Sequence, residues 1–168
     1  MSTAVDLYAT TNPAFGCALM WSFLAGVAEG RVDASRGETS DLGLEFPLLF
    51  LPLPILLSSL RDTMAHTNRR TGFYAWLERH PELRVGLADR VERMTPTTRR
   101  AVLYGARAQL ITAASDGRFH AAGGLSHQSL ARAGDTVRPL FPLARRLGIW
   151  VGEVRAARDI LYALGLRV

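Results

Sequence analysis

The sequence predicts a mainly α fold: a helical domain with a winged helix-turn-helix-like core and one small β-hairpin. Three observations carry that expectation. Apolar residues recur at helical spacing through most of the 168 residues, and several of these runs open on a proline. Near the middle, Asp116-Gly117 stands between two short extended stretches and reads as a hairpin turn. One domain is expected over 1-168, in three parts: an N-terminal helix with a Leu/Pro-rich core segment (1-64), a winged-helix-like unit (71-122) and C-terminal helices (134-168).

The first helix starts at Asn12-Pro13, an asparagine N-cap followed by proline at the first helical position. From Ala14 to Glu29 the segment carries Phe15, Leu19, Trp21, Phe23, Leu24 and Val27 on most sides, so burial nearly all round is expected. Ala18, Ser22 and Gly26 form a small-residue stripe along which another element can pack closely. Residues 30–45 read as a loop.

Phe46 to Leu57 is the most hydrophobic segment, and its prolines at 52 and 54 delay regular helix until Pro54 opens one to about Met64. The reading favoured is a core segment threaded under the other helices. The competing one is a greasy strip that docks a partner, with Phe46, Leu48, Phe50, Leu51 and Leu53 as its contact residues.

Thr71 is expected to cap a short helix from Phe73 to Arg79, which stops before His80-Pro81. Pro81 then opens a helix to Met94 through Leu83, Leu87 and Val91. Thr95-Pro96 breaks the chain and starts a third helix to about Leu110, with Val102, Leu103, Ala106 and Leu110 as its apolar face. Three helices and a hairpin are the order of a winged helix-turn-helix unit. Gly123 to Ala133 reads as loop, and two closing helices follow, one ending near Val151 and one from Glu153 to Leu164, with Gly165 as its stop.

All 20 positive side chains are arginine; there is no lysine. That excludes a phosphate-loop ATPase, Schiff-base and pyridoxal chemistry, and the Ser-x-x-Lys hydrolases. The single cysteine, Cys17, forms no disulfide within the chain, and a reducing cytoplasm is expected. No signal peptide is read at the N-terminus, and the twelve-residue apolar run is too short to span a bilayer, so no membrane association is expected.

Charge is uneven. Residues 1–60 hold two arginines against six acids, whereas residues 61–168 hold eighteen against nine. Such a basic region suits nucleic acid, an acidic protein surface or the chain's own acidic N-terminal part.

Catalytic motifs are missing. His66, His80, His120 and His127 are isolated in sequence, no metal-ligand spacing occurs, and neither a Gly-x-Ser-x-Gly elbow nor a Gly-x-Gly-x-x-Gly turn is present. No enzyme, cofactor or metal is expected. One constellation suits nucleic acid: Arg100, Tyr104 and Arg107 at i, i+4 and i+7, with Arg99 beside them and Arg118 on the expected wing. The alternative is that these residues cover the surface or grip an acidic partner.

The order of segments carries a resemblance. Asn12-Pro13-Ala14-Phe15 opens the chain and Phe50-Leu51-Pro52-Leu53-Pro54 follows. Trp76-Leu77, His80-Pro81-Glu82-Leu83-Arg84-Val85 and Thr97-Thr98-Arg99 come next, and Ala144-Arg145-Arg146-Leu147-Gly148-Ile149-Trp150 and Leu164-Gly165-Leu166 close it. Together they resemble the middle component of bacterial three-component ABC systems. The resemblance implies a non-enzymatic adaptor, encoded between an SMC-like or repair-type ABC ATPase and a variable third component, the effector. It implies a role in bacterial conflict, including anti-phage defence, with DNA reached mainly through the complex. The rival expectation is a free-standing winged-helix DNA-binding protein or transcriptional regulator.

Overall fold

The computed structural model describes residues 12–34 and 42–166. Helix α1 (Pro13–Ala34) is the hub. The Asn12 side chain accepts hydrogen bonds from the Ala14 and Phe15 amides at 3.0 and 3.2 Å, satisfying donors that the first turn leaves free. Residues on all sides of α1 are buried, as its sequence predicts, and it runs one turn beyond Glu29 because Gly30 and Arg31 are buried too.

After Leu44, a 3-10 turn (Phe46–Phe50) leads into the short helix α2 (Pro52–Leu56), and a second 3-10 turn (Ser59–Met64) follows. The helix expected from Pro54 to Met64 is thus two pieces. Leu57 and Ser58 separate them, and the Ser58 hydroxyl accepts from the Leu60 amide to start the second. Leu48, Leu51 and Leu53 are buried in the core, in line with the favoured reading of this segment.

Helix α3 (Phe73–Arg79) has the expected bounds but not the expected cap. Thr71 closes the preceding 3-10 turn (Arg69–Thr71), where its hydroxyl accepts from the Asn68 amide, and Gly72, at φ 73°, precedes the helix. Pro81 opens only a 3-10 turn (Pro81–Arg84). Gly86, at φ 67°, then turns the chain into helix α4 (Leu87–Arg107), which runs straight through Thr95-Pro96. The expected second and third helices are therefore a turn and one long helix. Proline is tolerated here because Pro96 and Glu92, whose carbonyl loses its helical donor, both lie on the solvent face. The three-helix order of a winged helix-turn-helix is not what these residues form.

The face of α4 also differs from the expected one. Thr97, Thr98, Ala101 and Gly105 are buried, while Leu103 is 61% exposed. Small residues won because α1 crosses closely: a Cβ on Gly16 would meet the Ala101 Cβ at 3.0 Å, and one on Gly105 would meet the Cys17 Sγ at 2.9 Å.

The hairpin forms as predicted. Strands β1 (Ile111–Ala113) and β2 (Phe119–Ala121) pair antiparallel with Ile111 opposite Ala121, and Gly117 takes φ 78° in the turn. Leu44 adds a bridge to Phe119 on the other side of β2, and its amide and carbonyl each bond Phe119 at 2.9 Å. After the short α5 (His127–Leu130), helices α6 (Leu140–Val154) and α7 (Ala157–Ala163) close the chain.

Helices α1 and α6 run side by side in the same direction, Gly26 over Arg145 and Gly30 over Ile149. Gly148 and Gly152 in turn face Phe23 and Val27, and a Cβ on any of the four glycines would collide with a backbone carbonyl of the facing helix. Of the expected stripe, Gly26 lies at this crossing, and Gly30 extends it one turn further. Hydrophobic residues from Phe15 to Leu164 share one contiguous core around this crossing, including Trp76 and Trp150, whose rings lie 5.4 Å apart. Each indole N–H has an acceptor: Ala122 O for Trp21, Thr63 Oγ1 for Trp76 and Arg69 O for Trp150.

Candidate functional site

Arg31 and several arginines of the basic region are committed to holding this fold together. Arg31 is only 4% exposed and donates to Glu45 at 2.8 Å, and Arg118 pairs with the other oxygen of Glu45 at 2.9 Å. Arg118 also donates to the Gly43 carbonyl, so this member of the expected nucleic-acid set ties the hairpin to the strand-like segment at Leu44. On the far side of α1, Glu29 receives Arg145 at 2.7 Å and also pairs with Arg69, which bonds Asp33 as well. Arg146 donates to the Met64 and Thr67 carbonyls, joining α6 to the segment after α2. Arg69, Arg118 and Arg145 thus reach acids of the N-terminal third, while Arg61, Arg138 and Arg158 pair with acids of their own region.

The arginines of α4 are different. Arg93, Arg100 and Arg107 recur every seven residues along one line of the helix, with Arg99 and Tyr104 to either side. Arg99, Arg100 and Arg107 are exposed and Tyr104 is 41% exposed. None of these four arginines has an acid within ion-pair distance among the described residues. Four of the five residues expected to contact nucleic acid or an acidic partner therefore share one open face, and Arg118 stands apart from it.

The expected partner strip divides. Leu48, Leu51 and Leu53 are at most 2% exposed, whereas Phe46 is 54% exposed and stacks edge-on against Phe50 at 5.3 Å. Phe46, Phe50 and Leu51 line an apolar groove of about 640 Å³, completed by Ala88 and Val91 of α4 and by Leu161 and Leu166 at the C-terminal end. No signal in the sequence brings Leu161 and Leu166 to this segment, because only the packing of α7 against the first 3-10 turn does so.

A second concavity, of about 260 Å³, lies between α2 and the middle of α4, walled by Leu53, Pro54, Leu57 and Met94 and rimmed by Arg90 and Arg93. Sequence reasoning did not single out these two arginines. The heptad relation of Arg93 to Arg100 and Arg107 was the available signal, interrupted in sequence by the Thr95-Pro96 pair, and Arg90 lies one turn before Arg93.

The histidines lie apart. His80 pairs with Glu82 at 2.9 Å, an interaction that, after the backbone hydrogen bond at Glu82, holds that carboxyl below its ordinary range. His127 packs edge-on against Trp21 at 5.4 Å; burial first, and then the Arg145 charge, lower its pKa against the opposing pull of Glu29. Cys17 is fully buried between α1 and α4, and burial pushes its thiol up to about 11. Among the described residues no three His, Cys, Asp or Glu side chains cluster as a metal site, and no helix is long and apolar enough to cross a membrane.

No curated protein and no solved structure matches the chain. A family model does match, and it runs through every segment on which the sequence resemblance rests, from the capped start of α1 to the closing helices. The chain, matched over residues 3–168, belongs to the family described as ABC-three component (ABC-3C) system Middle Component 3.

Proposed function

We propose that this middle component is a non-enzymatic adaptor that links an SMC-like or repair-type ABC ATPase to the third component, the effector, of a bacterial anti-phage defence system working in the cytoplasm. The observation that carries the reading is that a middle component of a multi-component system presents two surfaces left open among the described residues. One is the apolar groove at Phe46, Phe50 and Leu51, and the other is the unpaired arginine line of α4. Surfaces of mixed aromatic and arginine character are those that protein partners use as anchors. ATP hydrolysis would fall to a partner, since this chain has no lysine for a phosphate loop. Co-expression with the neighbouring genes tests the proposal. The ATPase is expected to co-purify at moderate salt, and its failure to do so would overturn the adaptor reading.

A second reading has one observation in its favour. Arg99, Arg100 and Arg107 with Tyr104 form an open basic face suited to phosphate contacts. Direct duplex binding by the isolated chain, steeply weakened by salt and by Arg100→Ala or Arg107→Ala, would support DNA contact.

A further inference from the structure

We propose that the pocket between α2 and α4 binds an acidic segment of a partner protein in which a carboxylate stands next to an aliphatic or aromatic side chain. The proposal rests on the adaptor reading and names the chemistry of one of its contacts. Arg90 is half-buried yet has no hydrogen bond or ion pair among the described residues, and Arg93 beside it has none either. Arg93 is exposed and Arg90 partly so, and each guanidinium offers five donors, so the pair at one rim suits an anion held by charge-assisted hydrogen bonds.

The walls decide which anion. Leu53, Pro54, Leu57 and Met94 are apolar, and the adaptable thioether of Met94 lets the floor fit more than one side chain. Ser58 supplies no free polar contact: its hydroxyl donates to the Ile55 carbonyl and accepts from the Leu60 amide. A duplex presents phosphates on a convex rod and would leave this apolar concavity unfilled. At about 260 Å³ the pocket is also smaller than an ordinary small-molecule cleft, which runs to about 300–1,000 Å³. It has room for one apolar side chain whose neighbouring carboxylate reaches the arginine fork. The rest of the line, Arg100 and Arg107, continues from the rim along α4 and would track further acids of the same segment.

The test uses the full chain and a labelled short synthetic peptide that alternates glutamate with leucine. Binding read by fluorescence anisotropy is expected to fall about tenfold in Arg90→Ala/Arg93→Ala and by a similar factor when glutamine replaces glutamate in the peptide. It is expected to hold within about twofold in Arg132→Ala/Arg158→Ala, which removes the same charge from exposed sites elsewhere. No binding by the wild-type chain, equal loss in both double variants, or equal binding of a peptide of glutamate alone would each overturn the proposal. So would complete competition by a DNA duplex acting through Arg90 and Arg93. Co-purification separates the two levels. If Arg90→Glu/Arg93→Glu still captures the partner components as well as wild type does, the pocket falls and the adaptor stands. If wild type captures none of them, the adaptor reading falls while the peptide still decides the pocket.

Discussion

The carbonyl oxygen of Phe23 occupies the space where a side chain on residue 148 would begin, and Gly148 leaves that space to it. The relation is repeated along the crossing, since Gly152 yields to the Val27 carbonyl and Gly26 and Gly30 yield to those of Arg145 and Ile149. Backbone-to-backbone approach of this kind permits Cα–H···O contacts and leaves no flexible atom to move aside. Alanine at residue 148 gains about 1 kcal/mol of helix propensity over glycine. Prising two backbones apart costs about 3 kcal/mol or more, so Gly148→Ala is expected to lower stability by about 2 kcal/mol or more in urea unfolding. Gly134→Ala, where a Cβ meets nothing within 4 Å, is the comparison and is expected to change stability by no more than about 0.5 kcal/mol. Equal midpoints for the two variants would contradict the tight crossing.

Glu45 binds two arginines of unequal exposure, Arg31 at 4% and Arg118 at 26%. Removing its charge takes an ion-pair partner from the buried Arg31, which also donates to the Arg155 carbonyl. Glu45→Gln is expected to cost about 2–3 kcal/mol, a loss moderated because Glu45 itself is 24% exposed. Arg118→Gln, which leaves the Arg31 pair intact, is expected to cost about 1 kcal/mol or less. The reverse ranking in thermal unfolding would show that the hairpin contact, and not the buried charge, holds this corner.

Pro96 sits inside a 21-residue helix on its exposed side. It withholds one backbone donor and crowds the carbonyl four residues before it. Pro96→Ala restores the Glu92 acceptor's partner but frees the unfolded chain as well, so the expected net gain is about 1–2 kcal/mol. A loss of stability would mean that the proline shapes α4 in a way its neighbours require.

That proline also marks where sequence reading stopped short. A Thr-Pro pair ordinarily ends a helix, and only burial against α1 and α2 carries α4 through it. Local signals that satisfy themselves were legible: the Asn12 cap, the Asp116-Gly117 turn and the proline-held segment with its buried leucines. The buried face of α4 was not, because hydrophobicity points to Leu103 while close approach selects Ala101 and Gly105. The candidate site divides in the same way. Helical spacing was enough to group Arg100, Tyr104 and Arg107, but one acid that holds Arg118, Glu45, lies 73 residues away in sequence. The groove needed α7, and the second pocket needed α4 to be one helix, so both depend on tertiary packing that no local pattern encodes.

His127 gives the fold a pH dependence of definite sign. Its pKa in the folded chain lies below the ordinary 6.5, because cover by Trp21 and the Arg145 charge disfavour the imidazolium more than Glu29 favours it. As pH falls through 6.5, the unfolded chain takes up the proton first, so the stability present above that value is lost towards the folded pKa. His127→Gln is expected to flatten this part of the curve, with a wild-type-minus-variant difference in Tm that shrinks as pH drops below about 6.5. A difference that stays constant with pH would show that the ring contributes packing alone.

Phe46 offers the most direct probe of the adaptor surface. Its ring is more than half exposed, leaning on Phe50 at 5.3 Å and on Phe119 at 6.0 Å, and it walls the groove without filling the core. Leu48, two residues on, is wholly buried. The two positions therefore separate folding from docking within one short segment. Phe46→Glu is expected to leave the unfolding midpoint within about 1 kcal/mol of wild type. If the groove receives a partner component, the same change is expected to weaken its capture about tenfold or more, as the loss of an aromatic anchor does. Leu48→Glu should unfold the chain outright, because it places an unpaired charge in the core. Phe46→Glu protein that is folded and captures every component as well as wild type would remove this groove from the interface.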